Sequence, residues 1–165
     1  MTTTADERAA LVRHPAGWLA TGFGSGFSPV APGTAGSLLA LAPWFALRDW
    51  PLQAYLLGLA GAFALGVAAC EWAVRRLQRA DPDCLVWDEF VGLWLALLPA
   101  ASYRAGALWI VGSFILFRLF DIAKPWPISW ADRRLGGGFG VMADDLLAGG
   151  CTAIVTGFGL LVTTV

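Results

Sequence analysis

Nineteen consecutive uncharged residues, Leu52–Cys70 (LQAYLLGLAGAFALGVAAC), constrain this chain more than any other feature. As a helix rising 1.5 Å per residue they reach about 28 Å, close to the thickness of a bilayer's hydrocarbon core. The stretch predicts a membrane-spanning helix. It continues through Glu71–Arg79, where Arg75, Arg76 and Arg79 leave the apolar phase. Composition points the same way: 58% of the 165 residues are hydrophobic and 14% are charged, whereas soluble domains are about one quarter charged.

Four other apolar segments surround this one. Leu38–Leu47 follows residues 21–37 (TGFGSGFSPVAPGTAGS), whose five Gly, two Pro and five hydroxyl residues read as a loop. At ten to thirteen residues it is short for an upright crossing, so it tilts, re-enters or lies at the interface. Phe90–Ala101 opens with Asp88-Glu89, Ala107–Ile122 ends at Lys124-Pro125-Trp126-Pro127, and Leu146–Val165 begins after Asp144-Asp145. Proline disfavours helix in the residue before it and lacks the N–H a helix needs, so the fourth segment stops there. The expected fold is all-α: a helical integral membrane protein of about four to five apolar helices, with a re-entrant segment as the alternative near the Gly-rich loop. Residues 1–20 read as an N-terminal tail or, over 1–17, a short surface helix, without the apolar region of a signal peptide, and 21–165 as one membrane-embedded domain.

Against this background Phe117–Asp145 is out of place. It holds the chain's one Lys, four of its twelve acids and three Arg. Charges at membrane depth are expensive and are paired or used. Antiparallel tracing of helices joined by short loops brings the Gly-rich loop, Asp88-Glu89, Asp121 and Asp144-Asp145 to one face. Nine basic residues fall on that face and two, Arg48 and Arg104, on the other. By the positive-inside rule the motif-bearing face is cytoplasmic.

Taken singly, each acidic pair reads as a helix cap, and Asp121 with Arg118 as an i,i+3 ion pair. Taken together, five carboxylates on one face repel one another unless a cation lies among them. Oxygen ligands without His or Cys favour Mg2+ or Mn2+. Nearby Arg118, Lys124 and Arg133, with hydroxyls and backbone N–H groups of the Gly-rich loop (Ser25, Ser28, Thr34, Ser37), suit a phosphate. Other phosphatase chemistries fit poorly. His14 is the one histidine, Cys70…Arg76 runs along a continuous helix, and Asp81-Pro82-Asp83 follows a polar segment rather than a strand. Attack on phosphorus by metal-activated water remains.

Three blocks, GFGSGFSPVAPGTAGSLLA, LVWDEFVGLWLAL and FRLFDIAKPWPISWADRRLGGGFGVMADDLLAG, resemble the signature blocks of bacterial phosphatidylglycerophosphatase A and occur in the family's order. The resemblance implies an Mg2+-dependent lipid phosphatase of the inner membrane that converts phosphatidylglycerophosphate to phosphatidylglycerol and phosphate. It carries over Asp88, Glu89, Asp121, Lys124, Asp144 and Asp145, with the loop around Ser25, Gly33 and Thr34. The assignment of roles expects Glu89, Asp121, Asp144 and Asp145 as metal ligands and Asp88, Asp121 and Lys124 as catalytic groups. Ser25, Thr34, Ser37, Arg118, Lys124 and Arg133 would bind the phosphate, and Trp126 and Trp130 would seat the lipid at headgroup level. The expected partners are the membrane and its phospholipid, with no nucleic acid. A small transporter that binds ions at the same carboxylates is the competing reading, and a structural subunit whose acids are only caps is the third.

Overall fold

Leu52–Leu77 forms one unbroken helix, α4 in a computed structural model that describes residues 3–164. It ends where Gln78 adopts a left-handed conformation (φ 55°). Before it come α1 (Ala5–Val12), α2 (Pro15–Ala20), a single 3-10 turn (Ser25–Phe27) and α3 (Pro32–Leu47). After it come α5 (Trp87–Ala96), α6 (Leu98–Ser102), α7 (Ala107–Ala123), α8 (Ile128–Arg134) and α9 (Gly137–Thr164). Every regular element among the described residues is helical.

The molecule is built around α5 and α9, which cross closely because both are glycine at the contact. A Cβ on Gly92 would lie 2.6 Å from the Asp145 carbonyl oxygen, and one on Gly149 would collide with the carbonyl of Gly92. Helix α5 is the most enclosed: Phe90, Val91, Leu93 and Ala96 are essentially inaccessible. Trp94 donates its indole N–H to the Ala40 carbonyl (2.9 Å), and Tyr55 donates to the Trp94 carbonyl (2.5 Å), so side chains pin α3 and α4 to the central helix.

The outer helices are apolar on the wrong side for a water-soluble bundle. On α7, Leu108, Val111, Ile115, Leu119 and Ile122 are exposed, a helical stripe at steps of three and four, while Ser113 and Phe117 point inward. Ile154, Val155, Phe158, Leu161 and Val162 form a similar surface on α9. Helices α4 and α9 are long and apolar enough to cross a membrane, with 22% and 28% of their apolar windows buried. A soluble core helix of that length would be mostly covered.

Several sequence expectations change. Among the described residues two helices, not four to five, are long and apolar enough to cross a membrane. Helix α5 stops after ten residues, at Leu97–Pro99. Helix α7 has seventeen residues and carries Arg118 and Asp121 in its last turns. Residues 32–37 are not loop: α3 starts at Pro32, since Pro suits the first helical position. The N-terminal segment is helical and docked rather than a tail: α1 packs on α2 and α2 on α4, with Leu11 fully buried. Thr4 caps α1 through a capping box, and Arg79 of the α4 end pairs with Glu7 at 3.0 Å. Gly136–Gly140, a glycine-rich run that composition alone reads as a flexible loop, is helical from Gly137 onward, as the first turn of α9.

Candidate functional site

Three helices bring the acids together. Asp88 and Glu89 sit in the first turn of α5. Asp121 lies in the last turn of α7, next to its left-handed cap Lys124. Asp144 and Asp145 lie two turns inside α9 rather than at its start. They line a cleft of about 240 Å³ together with Lys124.

The glycines of α9 make this placement work. Gly138 N–H donates to Glu71 Oε2 (2.7 Å), and a Cβ on Gly138 would collide with the α4 backbone. Gly137 has φ +66°, a conformation natural to glycine. The run therefore seats the α9 N-terminus directly on α4, two turns ahead of the acids. This supplies the role that composition alone did not reveal. Gly33 acts similarly on α3, where a Cβ would run into Glu89 Oε1 and approach Arg118.

The cations divide the carboxylates into two sets. Arg118 Nη1 lies 2.7 Å from Asp121 Oδ2 and 3.9 Å from Glu89 Oε1. It also donates to Ser37 Oγ at 3.3 Å. Lys124 Nζ donates to Asp144 Oδ2 (2.7 Å) and to Asp132, which lies on α8. Burial lowers the basicity of Lys124, but the two carboxylates overcome this and hold its pKa above the usual lysine value.

Asp88, Glu89 and Asp145 remain. One carboxylate oxygen from each lies within 4.8 Å of the others. Among the described residues, Glu89 Oε2 and Asp145 Oδ2 are buried with no hydrogen-bond partner. Burial pushes the Glu89 carboxyl up to about 8, with the charges of Asp145 and Asp121 adding to it. Asp88 is raised for the same reasons, burial first and then the charge of Glu89. Unpartnered buried carboxylate oxygens cost several kcal/mol unless a proton or cation satisfies them.

The remaining candidates are less central. Ser37 reaches the site through Arg118. Ser25 donates its hydroxyl to the Gly22 carbonyl within its own turn (2.8 Å), and neither it nor Thr34 lines the cleft. Arg133 also lies outside the cleft: its Nε donates to the Ser129 carbonyl, and it shares a separate surface groove with Trp126 and Trp130. Conversely, Asp81, Asp83 and Asp132 line the cleft without having been assigned a role from sequence. The Asp81-Pro82-Asp83 turn carried a signal as a cluster of acids, but sequence spacing cannot show that it folds over the α5 N-terminus.

Residues 18–159 match the family described as Phosphatidylglycerophosphatase A. A protein of Escherichia coli (strain K12) with that name is 42% identical over 133 residues, 79% of this chain and 75% of its own length. One of the same name from Haemophilus influenzae is 41% identical, covering 82% of each chain. A Bacteroides thetaiotaomicron protein named Putative phosphatidylinositol-3-phosphatase is 44% identical over 79% of this chain and 84% of its own. No solved structure matches the chain.

Proposed function

Because the chain belongs to the phosphatidylglycerophosphatase A family, we propose that it hydrolyses the terminal phosphomonoester of phosphatidylglycerophosphate, with Mg2+, at the carboxylate cleft on the cytoplasmic side of the inner membrane. Membership makes it a phosphatase. The observation that carries the site is the meeting of Asp88, Glu89 and Asp145 beside Lys124 and Arg118.

The residues fit a hard divalent cation. The donors are all carboxylate oxygens, and two of them are buried without partners. Glu89 and Asp145 would hold the ion, with Asp121 and Asp144 able to join by exchanging their cation partners, and Asp88 beside them would serve as the base. The ion would supply Lewis-acid polarisation of the phosphate and a more acidic water. Lys124 and Arg118 would then neutralise the phosphoryl oxygens, each shifting from the carboxylate that now holds it. Asp88 Oδ1 accepts the Glu89 backbone N–H (3.1 Å), which leaves Oδ2 to take the proton of the attacking water. Water would add to phosphorus as the bond from phosphorus to the glycerol oxygen breaks, and the proton held by Asp88 would pass to that departing oxygen, giving phosphatidylglycerol and inorganic phosphate.

The membrane orientation rests on charge. The α4 C-terminus and α9 N-terminus meet at Glu71 and Gly138, and the cleft opens beside them. Arg75, Arg76 and the Arg79–Glu7 pair belong to the same end. Arg48 and Arg104 flank the start of α4 at the other. This bias favours a cytoplasmic cleft. The transporter reading has no support among the relatives, which carry phosphatase names.

The test is phosphate release by the purified full-length chain in detergent, with phosphatidylglycerophosphate and phosphatidylinositol 3-phosphate as alternative substrates. Release from the first, lost with EDTA and in Asp145→Asn, supports the reading. Activity that survives chelation, or a preference for the inositol lipid, overturns the metal or the substrate assignment respectively.

A further inference from the structure

The end of the molecule opposite the cleft carries a second cavity of about 340 Å³, walled by Arg48, Asp49, Arg104, Trp50 and Tyr55 among others. These are the only two basic residues that sequence tracing puts on that face, and both reach the same cavity. Neither makes an ion pair among the described residues, although Asp49 shares the wall. The Arg48 guanidinium is held over the rings of Trp44 (5.6 Å) and Phe45 (5.7 Å), which orients it without using its N–H donors. Trp50 and Tyr55 also line an adjoining groove of about 210 Å³, whose other walls include Leu47, Leu59 and Trp94 and are almost wholly apolar. A cationic pocket thus runs into an apolar slot.

The location matches a membrane interface. Leu52, in the cavity wall, and Glu71, at the cleft end, are nineteen residues apart on one helix. That is about 28 Å of rise, one hydrocarbon thickness. Trp50 is half exposed, as interfacial tryptophans commonly are.

We propose that this cavity and groove bind one phospholipid of the opposite leaflet. Its phosphodiester lies between Arg48 and Arg104, and an acyl chain occupies the groove beside Trp50 and Trp94. Two arginines against one aspartate leave a single positive charge, so the matching lipid carries one net negative charge and a hydroxyl head group, as phosphatidylglycerol does. A choline or ethanolamine head would add a cation where one is already in excess. The proposal rests on α4 spanning the bilayer and not on the chemistry assigned to the cleft.

The experiment is native mass spectrometry of the full chain released from detergent with dioleoyl phosphatidylglycerol, dioleoyl phosphatidylcholine or inorganic phosphate. The variant is Arg48→Gln with Arg104→Asn; asparagine tolerates the left-handed backbone of Arg104 (φ 49°). The expected result is one phosphatidylglycerol retained by the parent chain and by Lys124→Gln, and about tenfold weaker retention in the double variant, the loss of one to two charge-assisted contacts. Phosphate release by the double variant serves as the check on folding and should stay within about twofold of the parent, below a 0.5 kcal/mol effect. Equal retention by the double variant, equal retention of phosphatidylcholine, or binding of inorganic phosphate in place of lipid each overturns the proposal. A loss of lipid only in Lys124→Gln also overturns it, since the lipid then occupies the cleft.

Discussion

Gly92→Ala tests whether the close approach of α5 and α9 builds the acid cluster. The new Cβ would stand 2.6 Å from the Asp145 carbonyl oxygen and 2.9 Å from the Phe117 ring. Ordinary carbon–oxygen contact is about 3.3 Å, so the helices must part by about 0.7 Å, at an overpacking cost of about 1–3 kcal/mol. The obstacle on α9 is backbone, so rotamer changes cannot relieve it. Asp88 and Glu89 lie one turn before Gly92, and Asp145 belongs to the contacted residue. The displacement therefore acts directly on the three-carboxylate set. Metal sites tolerate distance errors of about 0.2 Å. We expect the Mg2+ concentration for half-maximal phosphate release to rise by about tenfold or more, equivalent to a loss of about 1.4 kcal/mol, while helicity by circular dichroism is unchanged. Gly150→Ala is the matched control, since its Cβ would meet only Leu95 Cδ2 at 3.9 Å. An unchanged metal dependence in Gly92→Ala, or an equal shift in Gly150→Ala, would refute the reasoning.

Arg118→Met removes the partner of Asp121 and the nearest cation to Glu89. Leaving a largely buried carboxylate without its cation should cost about 3 kcal/mol, read as a lowered thermal midpoint, with phosphate release abolished. Tyr55→Phe removes the hydrogen bond to the Trp94 carbonyl and should destabilise by about 1 kcal/mol without altering the Mg2+ dependence; a changed metal response would show that α4 anchoring reaches the cleft. Asp145→Asn should raise the thermal midpoint measured in EDTA and abolish the rise caused by Mg2+, because it removes one charge from a crowded set. A midpoint that falls in EDTA would mean that Asp145 is a structural acid.

The helices that sequence reveals best are those with one dominant property. Leu52–Leu77 and Ala107–Ala123 agree with their apolar runs because a left-handed Gln78 and Lys124 stop them near expected breaks. The convergence of Asp88, Glu89, Asp121, Asp144 and Asp145 also follows from antiparallel tracing. Glycine misleads. Residues 32–37 and 137–140 read as loops by composition, yet they are helical, and their glycines serve contact with Glu89, Val86 and α4. A missing side chain means flexibility in a turn and close approach in a packed helix, and composition does not distinguish the two. Arg133 lies outside the cleft for a geometric reason. Helix α8 was not foreseen, and successive residues on a helix diverge by about 100°. With Asp132 on Lys124, Arg133 turns to the surface with Trp126 and Trp130.

The arrangement also answers how five carboxylates share one helix-end cleft. Two are matched where they stand: Asp121 by Arg118 and Asp144 by Lys124, whose second carboxylate is the more exposed Asp132. Both cations come from the last turns of α7 and its cap, so one helix neutralises its own Asp121 and an acid of α9. The three that remain, Asp88, Glu89 and Asp145, come from the α5–α9 crossing, and among the described residues only Glu89 has a cation nearby, at 3.9 Å. Their mutual repulsion acts where α5 and α9 are held tightest by Gly92 and Gly149. The close packing of α5 on α9 therefore sets three acids side by side. A divalent cation would remove their repulsion without moving either helix, which is the preorganisation a catalytic metal site requires.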